Sequence, residues 1–163
     1  MTDPRQTATP PLNSDTMIAM LIAGSVATVA FDLWGQAISP MLGFANLAPA
    51  GLARSLLGTF GLPNGAWAGN FMHLFLVGLI AYPVGWLYIF RPLQQKFAPA
   101  IPMLLSSAIY GFGLWIFAIG GITAIAGLKF FLGFTGITWV ALVGHVLYGI
   151  VAALTFDYLA KRR

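Results

Sequence analysis

The chain has 163 residues, of which 59% are hydrophobic and only 7% charged, with a mean hydropathy of +0.86. So much apolar surface cannot be hidden in one small soluble core, which excludes a soluble globular domain and predicts an integral membrane protein solvated by the lipid bilayer. The net charge of +4 and sequence pI of about 9.8 do not predict nucleic-acid binding, because the eight Lys and Arg residues lie at the ends of apolar segments and form no patch along which a phosphate backbone could run.

Residues 1–16, MTDPRQTATPPLNSDT, read as a disordered cytoplasmic tail without the early apolar region of a cleavable signal. The first predicted membrane span covers residues 17–38 and is ended by Ser39-Pro40. The loop that follows, LGFANLAPAGLARSLLGTFGLPNG, is too apolar for a solvated linker. Pro49 can open a short helix there, with Leu52, Leu56 and Leu57 on a face away from Arg54 and Gly58 and Gly61 at its end. This predicts an interfacial helix on the outer surface. The second span is predicted over 66–90, stopping at Arg91-Pro92, the third over 101–126 and the fourth over 137–159, closed by the basic end 161–163.

Charge alternates between the loops. Arg5, Arg91, Lys96, Lys161, Arg162 and Arg163 fall on one side and only Arg54 and Lys129 on the other, which predicts that both termini are cytoplasmic. Short connections between the later spans predict antiparallel neighbours, so the expected fold is a single all-α, four-transmembrane-helix bundle.

The only two histidines occur in WAGNFMHLFLVG and WVALVGHVLYG, each six residues after a tryptophan. If Trp67 and Trp139 sit at the outer interface, His73 and His145 lie at equal depth, roughly 9 Å further in at a rise of about 1.5 Å per residue. Counting inward from the outer ends of the other two spans reaches Asp32 and Gly120-Gly121, the glycines leaving space beside the polar groups. On the first span Ser25, Thr28, Asp32, Gln36 and Ser39 fall within about an 80° sector at about 100° per residue, a polar stripe that lipid cannot satisfy. Thr138, His145 and Tyr148 share a face of the fourth span, and Asn70 lies one turn before His73. The candidate polar layer is therefore Asp32, Gln36, Asn70, His73, His145 and Tyr148. Asp32 is the costliest of these to insert, at about 2.5 to 3.5 kcal/mol, and is expected either paired with a histidine or protonated.

Three readings of this layer stand together. It is polar glue that fixes helix register, or His73 and His145 are axial ligands of a haem or another tetrapyrrole, or Asp32 and the histidines begin a proton or small-solute path continued by Ser106, Ser107 and Tyr110. Asp32, His73 and His145 also have the ligand chemistry of a zinc or iron site, with nothing beyond ligand count behind it. No catalytic residue is expected: the chain has no cysteine, no glutamate, and no Walker, G-x-S-x-G or H-E-x-x-H motif. Asp157 and Lys161 have the spacing of a helix-surface ion pair. The matching Trp-His spacing also suggests two repeated helical hairpins, in which case the second histidine follows from duplication.

The strings AGSVATVAFDLWG, PAGLARSLLG, GNFMHLFLVG and GHVLYGIVAA resemble those of small four-helix bacterial inner-membrane proteins of the YagU-like kind. That resemblance implies a four-helix inner-membrane fold and supplies neither an activity nor site residues. Together these readings lead to the expectation of a non-enzymatic accessory or interaction subunit partnered by other membrane proteins, with a haem- or pigment-binding protein or a transporter as alternatives.

Overall fold

A computed structural model describes residues 9–162, and all regular structure among them is helical. Four helices are long and apolar enough to cross a membrane: α1 (Ser14–Met41), α3 (Ala66–Phe97), α4 (Met103–Ile125) and α5 (Gly136–Ala160). Between the first two lies the loop helix α2 (Pro49–Thr59), opened by Pro49 as expected. The expected tail falls partly on residues 1–8, outside the described residues. Its last part is helical, because the Asn13 side chain accepts from the Thr16 N–H and caps α1 at residue 14.

Two helix ends differ from expectation, for one shared reason. Pro40 and Pro92 were expected to terminate their spans, yet α1 continues to Met41 and α3 to Phe97. Each proline stands two residues after a stretch of widened, i→i+5 bonded turns: Trp34–Ile38 before Pro40, Phe71–Ala81 before Pro83 and Gly85–Phe90 before Pro92. In that register Ser39 N–H bonds the Trp34 carbonyl and Tyr82 N–H bonds the Val77 carbonyl, so the donor missing at Pro40 or Pro83 orphans one carbonyl, Gly35 or Gly78. Both orphans are satisfied from elsewhere. Leu47 N–H from the loop bonds Gly35 O at 2.9 Å, and the Tyr148 hydroxyl of α5 bonds Gly78 O at 2.5 Å. At Pro40 and Pro83 the helix continues because the tertiary fold supplies the two donors.

Three ends on one side of the bundle close alike. Gly43, Gly61 and Gly127 take positive φ after α1, α2 and α4, and the next residue's N–H (Phe44, Leu62, Leu128) reaches back to Ser39, Leu57 and Thr123 carbonyls. This is the glycine-terminated cap in which the left-handed residue costs little only because it lacks a Cβ.

Packing is antiparallel and uneven. Helix α5 sits centrally, against α1 on one side and α4 on the other, and α1 also packs along α3. Close approach is made at glycines: a Cβ on Gly24 of α1 would lie 2.6 Å from the Gly78 carbonyl oxygen, and one on Gly149 of α5 would lie 2.9 Å from Gly111 N of α4. Trp34 and Trp115 donate their indole N–H groups to the Val140 and Thr138 carbonyls, tying α1 and α4 to the start of α5. Helices α3 and α4 are not closely packed on each other. Their main link is the Tyr110 hydroxyl, which donates to the Tyr82 carbonyl, with the Tyr110 ring against Trp86 and Phe90. Helix α2 packs on the start of α3 and reaches the end of α4, bridging the gap at one end.

Candidate functional site

The gap between α3 and α4 is a cavity of about 330 Å³. Thr28 and Phe31 of α1 and Ala141, His145 and Tyr148 of α5 form its back wall; Met72, His73, Val77 and Tyr82 come from α3, and Phe117, Ala118, Ile119 and Ile122 from α4. Pro49, Leu52, Ala53 and Leu56 of α2 roof it. The side of α2 that carries Leu52, Ala53 and Leu56 is thus turned into the protein. Among its lining residues Ala81 of α3, Phe117 of α4 and Ala48 before α2 are exposed, so the cavity reaches the surface on the side where α3 and α4 are not packed together.

The candidate polar residues divide into three groups. His73 Nε2 lies 2.9 Å from Asp32 Oδ1, and Gln36 Nε2 donates to the same oxygen at 2.8 Å. Asp32 is therefore paired with a histidine, one of the two outcomes expected of it. Its side chain keeps 23% of its surface exposed and Gln36 is exposed, so this cluster lies on the outward side of His73 and not in the cavity. His145 and Tyr148 are buried in the back wall. Asn70 belongs with neither: it is exposed and its side chain makes no hydrogen bond among the described residues. The stripe on α1 splits within its own width: Thr28 and Ser39, toward one edge of the sector, are buried, and Gln36, at the other edge, is exposed and bonds Asp32 one turn before it.

His73 and His145 occupy one level, since Phe31 is in ring contact with both, at centroid distances of 6.0 and 5.0 Å. They do not face each other as axial ligands. Phe31 packs against both rings, His73 Nε2 is committed to Asp32, and a macrocycle between the two would displace the one and break the other. No group of three or more His, Cys, Asp or Glu among the described residues is placed to hold a metal ion, so the Asp32, His73, His145 ligand set does not assemble. The space expected at Gly120-Gly121 is filled at Gly120, where a Cβ would lie 2.8 Å from the Phe131 ring packed beside Trp115, and at Gly121 it faces outward, with nothing within 4 Å. No hydrogen bond among the described residues joins the Asp32–His73 pair to Ser106, Ser107 or Tyr110, whose expected inward continuation is interrupted. The Ser107 hydroxyl donates to Leu104 O and the Tyr110 hydroxyl to Tyr82 O. The surface pair forms as expected, with Lys161 Nζ 2.6 Å from Asp157 Oδ2.

Sequence reasoning missed Tyr82, whose ring lies 6.2 Å from that of His145 and 5.2 Å from that of Tyr148. No periodic signal marked it: Tyr82 lies nine residues after His73, which in α-register is about 180° away on the opposite face, and the widened turns over Phe71–Ala81 change that phase. It also missed the α2 roof, whose apolar residues carry no mark of whether they face lipid or protein.

What the cavity offers chemically is an apolar chamber with two imidazoles and two phenols at one end. His145 Nδ1 lies 2.7 Å from the Ala141 carbonyl, which fixes the proton on Nδ1. Tyr148 spends its hydroxyl on Gly78. The Tyr82 hydroxyl has no partner among the described residues, and neither has His145 Nε2; unlike the sealed Thr28 hydroxyl, both remain open to the cavity. No protein-family model, curated protein or solved structure matches the chain.

Proposed function

We propose that the chain is a multi-pass protein of the bacterial inner membrane, with both termini cytoplasmic, that binds a small apolar molecule taken up sideways from the bilayer. The observation that carries this reading is the cavity itself. At about 330 Å³ it falls within the roughly 300–1,000 Å³ range of small-molecule sites, and it combines an apolar lining with a few polar groups gathered at one end.

Two further features support it. The four long helices contain 28, 32, 23 and 25 residues, each more than the roughly 20 needed to cross a bilayer core, and exposed Leu, Ile, Val and Phe side chains ring them. A bilayer solvates such a surface without a protein partner, so the accessory-subunit role expected from the sequence is compatible with this reading and is not needed to account for the apolar exterior. The second feature is a broken symmetry. Helices α1 and α4 both end in widened turns followed by a buried hydroxyl residue and, four residues on, a glycine cap: Ser39 with Gly43, Thr123 with Gly127. Treated as two hairpins, α1–α3 and α4–α5, the chain has a close α1–α5 contact whose counterpart is α4–α3. The cavity stands where that counterpart contact is missing.

The bulky substitution Ala118→Trp, on the α4 wall, tests the reading. Organic extraction and mass spectrometry of protein purified in native lipid nanodiscs is expected to recover an apolar molecule at near-stoichiometric amount from the wild type. Ala118→Trp should lower that amount at least about tenfold with the thermal midpoint little changed, since the indole fills empty space. Equal recovery from both proteins, or none from the wild type, counts against the binding reading.

Orientation is tested separately, and the absence of cysteine makes the experiment clean. A cysteine at Leu128 is expected to react with a membrane-impermeant maleimide on intact cells, and one at Ala98 only after permeabilisation. The reverse pattern would invert the topology.

A further inference from the structure

We infer that the occupant of the cavity is an apolar molecule with a hydroxyl head, an alcohol or phenol, and not a carboxylate, ketone or ether. This rests on the cavity being a binding site and adds what the site selects.

The argument is one of donors and acceptors. A neutral imidazole has one donor nitrogen and one acceptor. His145 donates from Nδ1 to the Ala141 carbonyl, four residues back on its own helix, so Nε2 is the acceptor, and it is the nitrogen left open to the cavity. His73 Nε2 is spent on the Asp32 oxygen that also accepts the Gln36 amide, so His73 takes no part in the selection. The lone pair offered to the cavity is that of His145 Nε2.

A ligand oxygen that only accepts would meet His145 Nε2 lone pair to lone pair. One that donates removes an unpaired acceptor from an apolar surrounding and can at the same time accept from the Tyr82 hydroxyl, which has no protein partner among the described residues and, unlike the Thr28 hydroxyl, is not sealed. Only a hydroxyl, or an N–H, completes both. The lining beyond this end is apolar, which calls for a hydrocarbon body.

The test uses protein in nanodiscs with three probes that share a chain and differ in the head: dodecan-1-ol, 1-methoxydodecane and dodecanoate, at matched mole fraction in the lipid. Bound probe is counted by native mass spectrometry. Wild-type protein is expected to prefer the alcohol to the ether by roughly tenfold. His145→Leu should abolish the preference, and His145→Gln, which keeps an acceptor, should retain part of it. Ether or carboxylate binding as well as the alcohol overturns the head-group inference and leaves the binding reading standing. If none of the three binds, both fall. Should His145→Leu fail to fold, the wild-type alcohol-to-ether ratio decides alone.

Discussion

Gly149→Val is expected to lower bundle stability by about 3 kcal/mol or more, whereas Gly113→Val stays within about 0.5 kcal/mol of the wild type. The two glycines differ in what a side chain would meet. A Cβ on Gly149 would strike the Ser107 carbonyl and lie 2.9 Å and 3.0 Å from the backbone N and Cα of Gly111. Backbone cannot swing aside as a side chain can. The facing position is equally closed, since a Cβ on Gly111 would strike the His145 carbonyl and lie 2.6 Å from Val146 Cα. Valine at 149 must push α4 from α5, and with it the Trp115 anchor on Thr138. At Gly113 nothing lies within 4 Å. Unfolding in mixed micelles by titration with dodecyl sulfate measures both. A Gly149→Val protein within about 1 kcal/mol of wild type would show that the α4–α5 contact is softer than these distances require.

The second expected result concerns the orphaned carbonyl in α3. Tyr148→Phe should cost about 1.5 to 2 kcal/mol, at the upper end for a hydrogen bond between membrane helices, because Gly78 O has no donor left in its own helix. Its i+4 donor, Tyr82 N–H, goes to Val77, and its i+5 position is Pro83. The explanation makes a sharper demand on the double mutant. Pro83→Ala restores an N–H at the position from which Gly78 O lacks one, so Tyr148→Phe should cost about 1 kcal/mol less in the Pro83→Ala background than in the wild type. Additive costs would place the Tyr148 hydroxyl's contribution in packing and not in satisfying that carbonyl. The cycle also controls for the apolar contact that Pro83 makes with Gly24, because that loss is common to both Pro83→Ala proteins.

Segment positions were legible in the sequence because each rests on a local physical rule. Four apolar stretches, interrupted by charge only at Asp32 in the first and at Asp157 near the end of the fourth, set the long helices, Pro49 set the start of α2, and Asp157 and Lys161 met at their helical spacing. The pairing of Asp32 with a histidine was legible from cost alone, since an unpaired carboxylate among apolar helices is the most expensive group in the chain. What was not legible depended on partners distant in sequence. Pro40 and Pro92 read as stops because the rule assumes α-register, and only Leu47 at Pro40 and Tyr148 at Pro83, remote along the chain from the carbonyls they satisfy, show how a helix passes a proline. Gln36 and Asn70 shared a phase with inward groups on ideal helices, but Gln36 stands at the outer edge of its stripe beside Asp32, and Gln36 and Asn70 are both exposed. Gly120 read as empty space because Phe131 arrives from a loop whose path no periodicity describes. That loop is itself unusual, with Phe131, Leu132 and Phe134 all at positive φ, a conformation costing roughly 1 to 2 kcal/mol per residue that the burial of the Phe131 ring against Trp115 helps to offset.

The opening of the cavity on the side where α3 and α4 are not packed together has a consequence for how any affinity of this site is to be expressed. A molecule that enters from lipid has already left water, so the chemical potential that drives occupancy is set by its mole fraction in the bilayer. Each added methylene improves transfer out of water by about 0.8 kcal/mol, so two of them raise an affinity quoted against aqueous concentration by more than about tenfold without touching the protein. In a homologous series of alcohols, apparent selectivity for length in buffer should therefore flatten when rescaled to the lipid phase. Whatever slope survives that rescaling belongs to the cavity walls.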